Sequence, residues 1–343
     1  MIGTKVKHKT LGMGTVTALD ADAGKITVDF PDRPYHFLYP DIFESFLTAG
    51  NPAIQAELLA AIKAKKDAAA KAEPEKARAV IISSSSPVKR SGLTRKKPPA
   101  HKNLIIKCNY CDGGASRDKL GYTGICSKQT MIYNVQIDKR PWCSNDRCAC
   151  NRYLKGECSY EDVVAEMKAV GSLCYETQLL TKWTAYMGWN SAGDTPMKLP
   201  AAARTNSLVV LTTRKPYAKE EERFVFGVFL VDYHEEGGGD SEGLVTAHPK
   251  YRISLTPEEA HKTLLWDYYA NPNKPLTMRW GTGLTRLLDD DNAAALLADI
   301  VKLKQGKQDE VLAKELYEHF CTLNSINASP PPEASGALRL SSR

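Results

Sequence analysis

The sequence predicts an α+β protein with several domains, and three observations carry this prediction. An alternating apolar and polar pattern near the N-terminus predicts short strands, near-continuous apolar runs after residue 206 predict buried strands, and segments rich in Ala, Leu, Lys and Glu predict helices. The 343 residues, 43% apolar and 25% charged, suit two or three globular domains. Neither a run of about 18 apolar residues nor a signal-peptide pattern is present, so we expect a cytoplasmic protein without a membrane partner.

Residues 1–48 predict a small β-barrel. The segment KITVDF alternates apolar and polar side chains, and glycine turns separate it from its neighbours. The predicted core consists of Val16, Ile26, Val28, Phe30 and Phe37. The segment resembles the small SH3-like barrels of the Tudor and KOW kind, which are accessory modules of nucleic-acid-handling proteins. This resemblance implies a nucleic-acid partner, and a protein partner is the alternative.

Residues 49–102 predict a helix followed by a disordered basic linker. Strong helix formers come first, and the Ser, Pro, Lys and Arg tract after them has almost nothing to bury. Between Lys63 and Lys102, 12 basic residues face three acidic ones, so this segment carries +9 and the rest of a chain of net charge +6 carries −3. Such a segment favours nucleic acid as a partner, and a merely solvated linker is the equal alternative. The candidate binding residues are Lys89, Arg90, Arg95, Lys96 and Lys97.

Residues 103–160 predict a cysteine-rich metal-binding module. Cys108 and Cys111 form a CxxC pair, whose tight turn lets two thiolates bind one tetrahedral zinc ion. The module contains no histidine, so we expect thiolates to complete the site. The expected further ligands are Cys126, Cys143 and Cys150, with Cys148 as a substitute and Cys158 as a bystander. Structural zinc is the first hypothesis, and an iron–sulfur cluster or a metal-free module are the alternatives.

Basic residues lie between these cysteines and give the module a possible second role. Zinc modules with a basic surface often bind phosphates, because Lys and Arg release counterions when they do so. Ordinary solvated charges are the alternative. The residues are Lys107, Arg117, Lys119, Lys128, Lys139, Arg140, Arg147 and Arg152.

Residues 161–324 predict a second α+β domain, and residues 325–343 predict a disordered Pro, Ser and Ala tail. SYEDVVAEMKAVG and ETQLLTKWTAYMG predict helices, whereas NSLVVLTTRK, ERFVFGVFLVDYHEE and KYRISL predict strands. Thr256 and Pro257 are a helix-entry pattern. Two further amphipathic helices are predicted in DDDNAAALLADIVKLKQG and QDEVLAKELYEHFCTL.

The order of these elements, from NSLVVLTTR to RWGTGLTRLLDDD, resembles the PUA-like superfamily of small β-barrels, which includes the EVE, ASCH, YTH and SRA domains. Leu287 departs from the Tyr expected beside Arg286. The resemblance implies an aromatic pocket for a flipped, often modified, base. Candidate rings are those of Trp183, Trp266 and Trp280, with Tyr186, Trp189, Tyr268 and Tyr269 as further ones, and the alternative for each is a place in the core. Arg286 is expected to meet a phosphate or a base edge, or else to pair with the acidic run 289–291.

The sequence predicts no catalytic residues, because the phosphate-binding and hydrolase motifs GxGxxG, GxxxxGK[ST], GxSxG and HExxH are absent. The first functional hypothesis is a DNA- or RNA-binding protein that reads modified bases in bacterial or phage defence or counter-defence. A protein-interaction scaffold with purely structural zinc is the first alternative. The second is an enzyme: a metal-dependent nuclease using Asp232, Glu235 and Glu236, or an iron–sulfur protein.

Overall fold

The computed structural model divides the chain into two units, Met1–Arg95 and Lys96–Arg343. The described residues are 1–8, 12–20, 25–31, 34–40, 42–45, 47–60, 62–63, 102–114, 120–190, 193 and 195–342. Each unit contains one sheet and several helices, so the predicted α+β class is confirmed. Among the helices of these residues, none has the length and apolar character needed to cross a bilayer.

The N-terminal unit is an antiparallel sheet in the order β4-β3-β2-β1-β5. The first four strands form a meander, and the fifth returns to pair with β1. A short helix α1 (Ile42–Ser45) precedes β5, and a longer helix α2 (residues 52–60) follows it. The strands are β1 (Lys5–His8), β2 (Gly12–Asp20), β3 (Lys25–Asp29), β4 (Pro34–Leu38) and β5 (Leu47–Ala49).

The predicted core of this unit is confirmed, but the unit extends beyond residue 48. Four of the five predicted residues, Val16, Ile26, Val28 and Phe30, are buried, and Phe37 is partly buried against them. Leu58 and Ile62 are buried in the same core. The segment around α2 therefore belongs to this unit, because its apolar side chains cover the core that the short strands leave open.

The C-terminal unit is built on a six-stranded sheet in the order β11-β6-β8-β9-β10-β7. Strands β6 and β8 are parallel, and all other neighbours are antiparallel. The strands are β6 (Asn103–Lys107), β7 (Thr184–Tyr186), β8 (Leu208–Thr213), β9 (Phe224–Glu235), β10 (Leu244–Ser254) and β11 (Thr285–Leu288).

The cysteine region and the later residues share one compact unit, whereas the sequence predicts a domain boundary at residue 160. Strand β6 lies inside the sheet, between β8 and β11, and Leu104 and Ile105 are completely buried in the main core. Asn103 fixes this arrangement, because its side chain accepts from Leu208 N and donates to Asp290 Oδ1. The three apolar residues just before the cysteines, Leu104 to Ile106, are too short a pattern to reveal a central strand.

Helices cover the sheet of the C-terminal unit. They are α3 (Lys128–Ile132), α4 (Ala149–Leu154), α5 (Tyr160–Val170), α6 (Leu179–Lys182), α7 (Pro257–His261), α8 (Asp290–Lys304), α9 (Glu310–Leu323) and α10 (Ala337–Ser341). A π-helical turn, Tyr133–Ile137, continues α3. The predicted entry of α7 is confirmed, since the Thr256 hydroxyl accepts from Glu259 N while the Glu259 carboxylate accepts from Thr256 N.

Two sequence predictions fail in this unit. The helix predicted around residues 176–188 is only α6, because Trp183 takes a left-handed conformation and the next residues pair with β10 as β7. The tail after residue 324 is ordered rather than disordered. Gly336 N donates to Asp267 O at 2.9 Å, and Ala337 is fully buried beside it. The small residues of this tail allow the backbone to pass close to the core, which composition alone does not reveal.

A buried ion cluster joins α7 to α8. Glu259 is 1% exposed, and its carboxylate accepts from Lys304 Nζ at 2.8 Å and from Lys307 Nζ at 2.7 Å. Burial alone would raise the pKa of Glu259, but the two ammonium groups prevail and lower the pKa to about 2. The carboxylate is therefore charged in the folded protein, and all of its charge is compensated.

We expect Glu259→Gln to lower the free energy of unfolding by about 3 kcal/mol, because two lysines lose their buried partner. The folded-state pKa lies below the ordinary value, so this stability is present above about pH 4.5 and is lost as the pH falls towards 2. Urea unfolding followed by circular dichroism at several pH values measures both effects. Glu258→Gln, which removes an exposed ion pair with Lys262, is the control and should change the stability far less. Equal effects of the two variants would contradict the role of the buried cluster.

Candidate nucleic-acid interface

One edge of the six-stranded sheet collects the ends of four strands. Because β6 and β8 are parallel, both end there, and because β9 and β11 are antiparallel to them, both begin there. Lys107 N donates to Leu284 O at 2.9 Å, and Cys108 N donates to Thr212 O at 2.8 Å. These bonds hold the loops after β6 and β8 beside the loop that leads into β11.

Five cationic side chains lie at this edge, which we call the cationic edge. They are Lys107, Arg140, Arg214, Arg223 and Arg286. Glu220 pairs with Arg223 at 2.5 Å and with Arg214 at 3.6 Å, and Asp138 pairs with Arg140 at 2.5 Å. The segment 215–222 also contains Lys215, Lys219, Glu221 and Glu222, whose charges cancel. A third carboxylate lies beside this edge, since Glu176 accepts from Asn109 N at 3.0 Å. Five cations therefore face three carboxylates, which leaves an excess of two positive charges.

Arg223 is the buried member of the cationic edge. Its side chain is 2% exposed, and its Nη1 has no hydrogen-bond partner among the residues that the structure describes. Its charge also acts on Lys107: burial first, and then the positive charges of Arg140 and Arg223, lower the pKa of that ammonium group. The two arginines therefore lie close enough to Lys107 for their charges to add to its own, and such a grouping would favour an anionic ligand.

Trp280 lies between two of these cations. The guanidinium carbons of Arg223 and Arg286 lie 5.1 Å and 5.0 Å from its ring centroid, and its Nε1 donates to Gly283 O at 2.7 Å. The ring is 3% exposed. Trp280 therefore has no free face on which a base could stack. Its ring instead makes cation–π contacts with the two guanidinium groups.

Arg286 does not form the predicted alternative salt bridge to the acidic run. Its guanidinium donates to the carbonyl oxygens of Thr282 at 2.6 Å and Thr285 at 2.7 Å, and also to that of Trp280. Asp289 instead caps α8, since its side chain accepts from Asn292 N. Arg286 thus stabilises the glycine turn through these hydrogen bonds. Its positive charge lies at the cationic edge and remains a candidate for a phosphate contact.

Trp266 and Trp183 are also core residues, whereas the further candidate Trp189 is 43% exposed. Trp266 is fully buried, and its Nε1 donates to Glu220 O at 2.7 Å, which positions the carboxylate that serves Arg223. Trp183 is 8% exposed and packs edge-on against Phe229 at 6.1 Å. The three tryptophans therefore do not form the expected base pocket. The candidate residues Lys89, Arg90, Arg95, Lys96 and Lys97 lie outside the described residues.

The structure regroups the cysteines. Cys126 lies beside Cys111, and Cys148 lies beside Cys150. The neighbouring thiol, together with burial, raises the pKa of Cys126, and within the second pair the pKa of Cys148 is lowered to about 7 while that of Cys150 is raised. We call these four residues the thiol pairs. Cys143 and Cys174 lie within electrostatic range of them.

Cys108 is separated from this group. Its Sγ lies 4.0 Å from Ile106 O, and burial followed by the charge of Glu176 raises its pKa. Cys111 Sγ instead donates to Gly124 O at 3.6 Å. The two thiols of the CxxC pair thus have different surroundings. Across the described part of the chain, no three His, Cys, Asp or Glu side chains are placed to hold a metal ion.

A carboxylate organises the cysteine region, and sequence reasoning missed it. Asp112 is 1% exposed and accepts from Ser127 N at 2.7 Å, from Ser127 Oγ at 2.5 Å and from Thr130 Oγ1 at 2.7 Å. It thereby ties the residue after Cys111 to the start of α3. Cys174 was also missed, because it lies 16 residues beyond Cys158 in an unremarkable segment.

The carboxylates of the nuclease hypothesis do not form a metal site among the described residues. Asp232 is exposed at the end of β9, and Glu235 accepts from the hydroxyl of Tyr233 at 2.6 Å.

Comparison with known proteins adds no assignment: no protein-family model, curated protein or solved structure matches this chain. The case for a function therefore rests on the cationic edge.

We expect Trp280→Ala to destabilise the protein by about 3 to 5 kcal/mol, because it leaves a cavity beneath two arginines. Urea unfolding measures the change. Trp189→Ala is the matched control, since Trp189 is 43% exposed, and it should cost less than about 1 kcal/mol. If Trp280→Ala has the same free energy of unfolding as the wild type, the ring does not stabilise the core. That result would favour Trp280 as a ligand-facing residue.

Proposed function

We propose that this protein binds nucleic acid and that the cationic edge is its phosphate-binding surface. The observation that carries the proposal is the excess of two positive charges around the buried Arg223. Lys and Arg that neutralise phosphates release condensed counterions, which supplies most sequence-independent affinity for nucleic acid. Arg side chains also match phosphate oxygens in pairs, and Arg140 and Arg214 are partly exposed at this edge.

Further features agree with this proposal. In the N-terminal unit, a meander closed by β5 on β1 is compatible with the SH3-like resemblance and hence with an accessory nucleic-acid-binding module. The basic segment with Lys89 to Lys97, outside the described residues, adds charge of the same sign. The PUA-like resemblance of the C-terminal unit points in the same direction. Reading of a modified base would need a ring other than the three buried tryptophans, so the proposal covers binding and not base identity.

We also propose that the thiol pairs bind a structural zinc ion. Four thiols in two neighbouring pairs are a donor set that suits tetrahedral zinc, and Cys143 or Cys174 could substitute for one of them. The fit is partial, since the sulfurs would have to converge further on one point. Zinc would hold the cysteine region together alongside Asp112 and would take no part in chemistry.

We expect Arg140→Gln to weaken binding of a labelled oligonucleotide and to reduce the salt slope of log Kd by about 1, because one phosphate contact is lost. Fluorescence anisotropy at several salt concentrations measures both. Lys302→Gln is the matched control, because it removes the same charge from an exposed ion pair with Asp299 on α8. An unchanged salt slope in Arg140→Gln would contradict the cationic edge as the binding surface. Absence of any binding by the wild type would favour the scaffold hypothesis.

For the metal, we expect about one zinc per chain in protein purified without added metal, measured by elemental analysis. Replacing both Cys148 and Cys150 by Ser should remove it, whereas Cys108→Ser and Cys158→Ser should retain it. Iron with sulfide would instead favour an iron–sulfur protein. A metal-free, folded wild type would contradict the zinc proposal and leave the Asp112 hydrogen bonds as the organising element.

A further inference from the structure

Tyr217 is the most exposed aromatic ring among the described residues, with 72% of its surface accessible. It lies in the loop after β8, three residues beyond Arg214 and three before Glu220. An isolated exposed ring is common on protein surfaces and needs no explanation by itself. The surroundings of Tyr217 are what distinguish it, because both Arg214 and the carboxylate that pairs with it belong to the cationic edge.

One edge-on contact supports this ring. Its centroid lies 4.9 Å from that of Tyr133, with the ring planes at 68°, and Tyr133 is itself buried. Tyr217 also has a φ of +65°, which is rare for a bulky residue. A ring with a buried partner loses less conformational entropy on binding a ligand than a ring without one.

The partner ring links Tyr217 to a second part of the cationic edge. Tyr133 begins the π-helical turn Tyr133–Ile137, and Asp138 N donates to Tyr133 O at 2.8 Å. Asp138 in turn pairs with Arg140. Tyr217 therefore stands between the loop that carries Arg214 and Arg223 and the turn that leads to Arg140. An exposed ring among phosphate-binding cations is the arrangement with which proteins bind single strands, because each base has a face that can stack.

We propose that Tyr217 stacks on an unpaired base of a strand whose phosphates lie along the cationic edge, so that the ligand is single-stranded nucleic acid. This inference rests on the proposed nucleic-acid-binding function and names its substrate class. In a duplex the faces of interior bases are covered by their neighbours, and Tyr217 would find no partner. The cations would act on both kinds of ligand, whereas the ring would act on single strands alone.

The test uses the full chain and labelled oligodeoxythymidylate of about 12 nucleotides, with a duplex of equal length for comparison. We expect Tyr217→Ala to raise the Kd for the single strand by about 5- to 150-fold, the range of one lost base-stacking contact, and to leave the Kd for the duplex nearly unchanged. Tyr217→Phe should bind like the wild type, because stacking does not require the hydroxyl group. A strand of abasic sugar phosphates should bind the wild type and Tyr217→Ala equally.

Tyr160→Ala is the matched control. Tyr160 is 40% exposed and also contacts a tyrosine ring edge-on, that of Tyr153 at 5.7 Å, but it begins α5 outside the cationic edge. Its replacement should leave both Kd values unchanged. If the wild type binds the single strand and Tyr217→Ala binds it equally well, the stacking inference is wrong while the proposed function stands. If the wild type binds neither oligonucleotide, the proposed function itself fails.

Discussion

The parallel pairing of β6 with β8 is the constraint on which the rest of the C-terminal unit depends. It draws the residues before the cysteines into the centre of a sheet whose other strands come from residues 184–288. Both strands end at one edge, where β9 and β11 begin, and every loop that carries a member of the cationic edge leaves or enters the sheet there or packs beside it. The cysteine region is consequently anchored to the core at β6, whether or not its thiols hold a metal.

This unit contains two buried ion clusters that differ in their charge balance. The balanced cluster stabilises the fold, whereas we propose that the unbalanced one binds a ligand. In the first cluster, Lys304 and Lys307 face two carboxylates, those of Glu259 and Asp309, so the charges balance. At the cationic edge the charges do not balance, since Arg223 and Arg214 share the single carboxylate of Glu220. Uncompensated positive charge near a buried arginine costs stability, and such a cost is expected where an anionic partner restores the balance.

Local patterns predicted much of the fold. The continuous apolar run of β9, the N-terminal alternation, the capping residues of α7 and the amphipathic pattern of α8 each specify an element through neighbouring residues, and each is present. Features that depend on contacts between residues distant in the sequence were not predicted. The place of β6 depends on a partner about 100 residues away, the ordered tail depends on a close approach to Trp266 and Asp267, and the burial of Trp280 depends on Arg223. Of the predicted site, Arg140 and Arg286 remain candidates, whereas Tyr217 carried no sequence signal.

The claim that the cationic edge meets nucleic acid is tested most directly by backbone hydrogen exchange, measured by mass spectrometry with and without a saturating oligonucleotide. Amides in the three segments that meet at this edge, residues 107–110, 133–142 and 214–223, should exchange more slowly in the complex, because bound phosphates stabilise the loops that carry the cations. Protection confined to the N-terminal unit, with these three segments unchanged, would contradict the claim.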